Sequence, residues 1–319
     1  MITIGGYIPI VAAAPYLSIP MAFCAVGFGT AINMAFGVIL CGSSGESMMA
    51  LAHLHGCYGV GGTIGALITT NLFSNDALWS RVYLVHLGLA ACVFALNLWS
   101  FRNYEQEYGS DVDKTKTPPE KLALNNVLLT MPTRVVFLGA IFMFASRGVE
   151  ASISDWVVSF LGDIYGPANS SSVGHVLAGF WAGIASGCFV VPGLAQSWGE
   201  KPLVFGLTIG VFVFQALLWL VPGFILNQIA TAAIGFMLGL VYPCAATVLM
   251  RNVARRELLG EILIAFSAFG SLGAAAASLL TGLLIEPIGM FVMHPICLFM
   301  YVLMIASWIG MPGEALGKP

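Results

Sequence analysis

Arg147 and Glu150 are the residues of this 319-residue chain best placed to do chemistry, because they are opposite charges three apart inside a long apolar run. At that spacing they share one face of a helix and can pair, and Ser154 extends the face. Counted inward from Val135 at about 1.5 Å per residue, they lie roughly 18 to 23 Å into a hydrocarbon layer about 30 Å thick, past its middle. Ionisable groups at that depth face a bundle interior or a water-filled cavity, since exposure to lipid is costly. Glu150 is then a candidate proton-titrating or hydroxyl-binding carboxylate, with Arg147 setting its charge state. The same pair equally fits a structural ion pair that locks its helix in place. Asp155 falls about 140° around the helix from Glu150 and is expected near the outer interface, off that face.

His55 and Tyr58 form a second constellation, three apart at the start of a Gly-rich apolar stretch. A neutral imidazole there can bond a substrate or shuttle protons, and it can equally make a helix-to-helix hydrogen bond at a tight crossing. Asn33, in the preceding apolar stretch, is open to the same two readings. No enzyme is expected. The histidines at 53, 55, 86, 175 and 294 are dispersed, and no nucleophile-elbow, zinc-protease or phosphate-loop motif is present. The seven cysteines have no metal-like spacing and read as packing residues. The chain is expected to hold neither metal nor cofactor.

The elements that position these residues must be membrane helices. Hydrophobic residues make up 59% of the chain and charged residues 8%, too little polar surface for a soluble domain. Runs long enough to cross a bilayer fall at about 16–41, 52–75, 81–101, 135–161, 173–193, 203–222, 226–249, 260–285 and 291–311. Ahead of them, Ile2 to Ala14 is apolar but stops at Pro15, and is expected to be the end of a helix whose beginning is missing. That gives an all-α polytopic protein of about ten spans.

Lys and Arg concentrate in alternate gaps between these runs, Arg81 being the exception among the gaps and Arg147 the one cation inside a run. Retention of cations on the cytoplasmic side places those gaps inside, including Lys114 and Lys318. Asn169 of the sequon Asn169-Ser170-Ser171 then falls outside and is a candidate glycosylation site. Residues 102–134, a mixed-charge stretch with Pro118 and Pro119, read as a cytoplasmic linker. The expected organisation is an incomplete N-terminal helical bundle at 1–101, that linker, and a six-helix C-terminal bundle at 135–319. The absence of a basic stripe outside short loops argues against nucleic-acid binding.

A displacement of 211 residues places Tyr58-Gly59-Val60-Gly61-Gly62 over Phe269-Gly270-Ser271-Leu272-Gly273. Small residues in matching places on two helices point to close contacts in lipid and to parallel repeats. With these features, LHGCYGVGGTIGALI at 54–68, RGVEASISDWVVSFL at 147–161, AGFWAGIASG at 178–187, GLVYPCAATV at 239–248 and MHPICLFMYVLM at 293–304 resemble the major facilitator superfamily. The resemblance is to a fungal branch related to sugar:proton symporters of the fucose permease type.

That resemblance implies a two-bundle fold whose first two of twelve spans are missing here. It implies secondary transport of a small organic solute, a sugar being one class, by alternating access with protons as the coupling ion. It places Trp156, Trp181 and Tyr242 on cavity-lining helices, where aromatic faces stack on ligands, and it favours an acid at Glu150. Three departures accompany it: the missing spans, Ala66 in place of a proline, and Gly187-Cys188 in place of a Gly-Arg pair. The alternatives are a non-transporting membrane receptor or scaffold with the same fold, and an inactive truncated transporter. The expected state is a monomer in the plasma membrane or an organelle membrane.

Overall fold

The computed structural model describes residues 1–42, 47–74, 78–102, 133–166, 170–251 and 259–311. Lys114, Asn169, Lys318 and nearly all of the 102–134 linker lie outside the described residues. Among the described residues there are ten α-helices and no strand. They are α1 (Ile2–Val11), α2 (Ser18–Gly42), α3 (Ser47–Ser74), α4 (Val82–Ser100) and α5 (Thr133–Tyr165), followed by α6 (Ser170–Trp198), α7 (Glu200–Leu220), α8 (Phe224–Arg251), α9 (Leu259–Ile288) and α10 (Met293–Gly310). Eight are long and apolar enough to cross a membrane. Helices satisfy every backbone hydrogen bond within the segment, which lipid cannot do. Of the remaining two, α1 has only 10 residues, while α3 has the length but is diluted by glycines, His53 and His55. The protein is an integral, multi-pass, all-α membrane protein.

The chain divides into two compact units, Met1–Phe36 with Leu72–Asn126, and Gly37–Asn71 with Val127–Pro319. In the first, α1 packs along α4. Gly6 brings α1 so close to α2 that a Cβ there would lie 2.8 Å from the carbonyl oxygen of Ala22. Ile10, Ala22 and Val26 form a small core with Tyr7, Ile19 and Tyr83 around it. A cavity of about 270 Å³ opens beside them, lined in part by Thr3, Tyr7, Asn33, His86 and Asn97.

In the second unit α6 runs against α8, α9 against α5, α8 against α7, and α10 against both α5 and α7. Gly183, Gly235 and Gly239 make the α6–α8 contact possible. A Cβ on Gly235 would stand 2.9 Å from the backbone carbonyl carbon of Phe180, and one on Gly239 2.9 Å from that of Ile184. The two glycine pairs of the 211-residue repeat are used alike, on different partners. Gly59 and Gly62 of α3 face Ala185 and Trp181 of α6, while Gly270 and Gly273 of α9 face Arg147 and Phe144 of α5.

Polar ties fix the ends of this unit. At one end Arg251 donates to Glu200 at 2.6 Å, Lys201 donates to the carbonyl of Met311 at 2.6 Å, and Trp308 donates to the carbonyl of Lys201 at 2.9 Å. At the start of α8 the Tyr165 hydroxyl accepts from Gly223 N–H and from the Asn227 amide. Pro243 sits inside α8 and has no N–H, so the carbonyl of Gly239 one turn earlier lacks its helical donor. The Cys188 thiol of α6, fully buried, donates to that carbonyl at 3.2 Å.

Candidate functional site

The side chains that could do chemistry converge within the second unit from four helices. Arg147 and Glu150 are one turn apart on α5, where the i,i+3 spacing sets them side by side. Nη1 of Arg147 donates to Oε1 of Glu150 at 2.5 Å, a charge-assisted bond. The aliphatic stem of Arg147 lies over Gly270 of α9, where only a missing Cβ leaves room.

From α3, His55 brings its Nε2 to 3.9 Å from Oε2 of Glu150. That is ion-pair range but too long for a hydrogen bond, and Nε2 has no hydrogen-bond partner among the described residues. A movement of about 1 Å closes it into one. The carboxylate therefore has a permanent cation on one oxygen and a titratable base on the other.

Aromatic rings fix this arrangement. The His55 imidazole stacks on Tyr242 of α8, at 4.6 Å between centroids, and on Tyr58 of its own helix at 5.6 Å. The Arg147 guanidinium stands 5.5 Å over the Tyr58 ring, a cation–π contact. Trp181 of α6 meets Tyr58 edge to face at 5.1 Å, and its indole fits against Gly62. The two charged groups are not equally accessible. The Glu150 side chain is 7% exposed and His55 4%, while Arg147 is 22% exposed, so the cation is the more accessible member of the pair.

Six of the residues singled out in the sequence thus meet: Arg147, Glu150, His55, Tyr58, Trp181 and Tyr242. Trp156 is placed elsewhere, its indole N–H donating to the carbonyl of Ser278 at 3.2 Å and its ring covering Gly282 of α9. Beside it Asp155 accepts from Ser278 Oγ at 2.5 Å and from Ser154 Oγ at 3.3 Å. Asn33 belongs to the first unit, where its amide donates to the carbonyl of Gly29 in its own helix and its side chain lines the cavity there.

Gln215 is fully buried and bonds Nδ1 of His294 at 2.8 Å, with Trp219 stacked on the imidazole. Only Thr208 shares its polarity on that face of α7, so the sequence does not name its partner. Of the cysteines, Cys188, Cys244 and Cys297 are buried, whereas Cys24, Cys57 and Cys92 are exposed.

A family model described as Major Facilitator Superfamily matches residues 1–278. No curated protein matches the chain with significant similarity.

Proposed function

Given that the chain belongs to the major facilitator superfamily, we propose that it carries its solute through the site built on Arg147 and Glu150, by alternating access coupled to protons. Secondary transport of small solutes across a membrane is the activity of the superfamily. The observation that carries the finer reading is the contact between α3 and α5, where His55 faces the acid of an ion pair inside apolar helices. Buried ionisable groups of this kind in membrane helices mark solute and proton paths. Glu150 takes and releases the proton, Arg147 biases its charge state, and Tyr58, Trp181 and Tyr242 offer ring faces to an organic solute. The motif stretches support the fungal, fucose-permease-related branch, which makes sugars the first solutes to assay. A two-bundle organisation about the 102–134 linker, a monomeric state and the absence of enzymatic activity belong to the same reading.

The test is uptake into liposomes containing the purified protein, under an imposed proton gradient. Glu150→Gln keeps the size and most hydrogen bonds of the acid but cannot titrate. It should abolish proton-driven accumulation while the protein still reaches the membrane. A protein with no proton-driven uptake of either sugars or small organic acids, or accumulation undiminished in Glu150→Gln, would refute this reading and favour a receptor or scaffold with the same fold.

A further inference from the structure

We propose that the site takes a small carboxylate-bearing solute, bound through its carboxylate to Arg147, with one proton travelling alongside on Glu150. This rests on the carrier reading above and narrows its solute from small organic solutes in general to acidic ones.

Accessibility gives the first argument. The Arg147 side chain is 22% exposed against 7% for Glu150, so a solute has more access to the cation than to the acid. A cationic solute is repelled there, and a neutral one gains little from a full charge. A carboxylate finds a planar donor fork matched to its own geometry.

Charge balance gives the second. In the empty site Arg147 and Glu150 neutralise one another. A bound anion would leave one uncompensated negative charge in a low-dielectric interior, which is costly. One proton on Oε2 of Glu150 removes that excess. The contact from Arg147 to Glu150 is then replaced by one to the solute carboxylate, and both steps reverse on release. Empty and loaded sites carry the same net charge, whereas a proton alone or an anion alone leaves an imbalance, so the two move together.

Geometry gives the third. A protonated Glu150 needs an acceptor for its O–H, and Nε2 of His55, buried and without a hydrogen-bond partner among the described residues, stands 3.9 Å from Oε2. The rings of Tyr58 and Tyr242 both stack on the imidazole and restrict its tilt. The other titratable neighbours are Tyr58 on α3, Tyr242 on α8 and Cys188 on α6. Asp155 is tied to Ser278 and Ser154, and α9 presents Gly270 to the pair. The exposed edge of Tyr58 and the ring of Trp181 remain for the body of the solute.

The experiment measures thermal stabilisation of the purified full chain by galacturonate, gluconate and benzoate. Their uncharged counterparts are galactose, sorbitol and benzyl alcohol, and the measurements are made at about pH 5 and about pH 7.5. We expect saturable stabilisation by at least one carboxylate and not by its counterpart. Its apparent affinity should fall about tenfold for each pH unit above the titration of Glu150. Glu150→Gln fixes the uncharged state, so it should bind the carboxylate equally at both pH values and regain stability from it. The double variant Arg147→Gln/Glu150→Gln leaves no stranded charge and should lose the response.

Stabilisation by no carboxylate, equal stabilisation by the counterparts, or pH-independent binding by the unaltered protein would each overturn the proposal. Proton-driven uptake of a neutral sugar without carboxylate binding would overturn it while the carrier reading stands. A carboxylate that binds with the expected pH dependence but is not accumulated would instead refute the carrier reading and the shared journey of the proton.

Discussion

Two helices of nearly equal hydropathy, one in each unit, show how differently apolar surface is used in this molecule. In α8 the most apolar window is 78% buried, while in the stretch containing α4 it is 6% buried. In water such a contrast would be ruinous for α4. In lipid an exposed apolar face costs nothing, and no hydrophobic drive pulls helices together. The difference therefore lies in backbone approach. Along α8, Gly235 and Gly239 face the backbone of α6, whereas Gly88 of α4 has open space where a side chain would stand. Hydropathy thus identifies the spans, and small residues at matched positions decide which become the interior.

The largest test of that contrast is Gly235→Ala against Gly88→Ala. The first drives a methyl group into the backbone of Phe180 and should cost about 3 kcal/mol. The second should leave stability unchanged or raise it by up to about 1 kcal/mol, through the better helix propensity of alanine. Thermal unfolding in detergent compares the two, and equal losses would break the distinction.

A smaller effect is expected at Gln215→Leu, which removes the bond to His294 between α7 and α10 and should cost about 1 kcal/mol. Since neither residue touches the Arg147 site, uptake per folded molecule should not change. A selective loss of uptake would instead join this buried pair to the transport path.

The smallest is Asn33→Ala in the first unit. Its amide is satisfied by its own helix, so stability should move by less than about 0.5 kcal/mol. A fall in uptake at unchanged stability would make the cavity it lines part of the machinery.

The spans could be read from the sequence because a run of apolar residues is a local property, and helix is the only open-ended structure lipid allows. Arg147 and Glu150 were legible for the same reason, being charges in a forbidden place at helical spacing. The approach of His55 to Glu150 was not. The residues are far apart in sequence, and nothing in either segment encodes which helix its face will meet. Trp181 and Tyr242 were reachable only through family resemblance, which equally suggested Trp156, a residue whose indole is engaged with α9. Gln215 shows the converse. A lone amide in a hydrophobic helix has no partner visible along the chain, yet His294 lies opposite it in the fold.

The gap that Pro243 leaves in α8 has a mechanical consequence. Along the rest of that helix a bending motion must stretch an amide hydrogen bond, but Gly239 and Pro243 share none, and the Gly239 carbonyl instead takes the Cys188 thiol of α6, a far weaker donor. The helix is consequently softest one residue from Tyr242, the ring that covers His55. A flexure there tilts the ring without unwinding either flanking segment, so a stiff rod acquires a compliant joint beside its most sensitive contact.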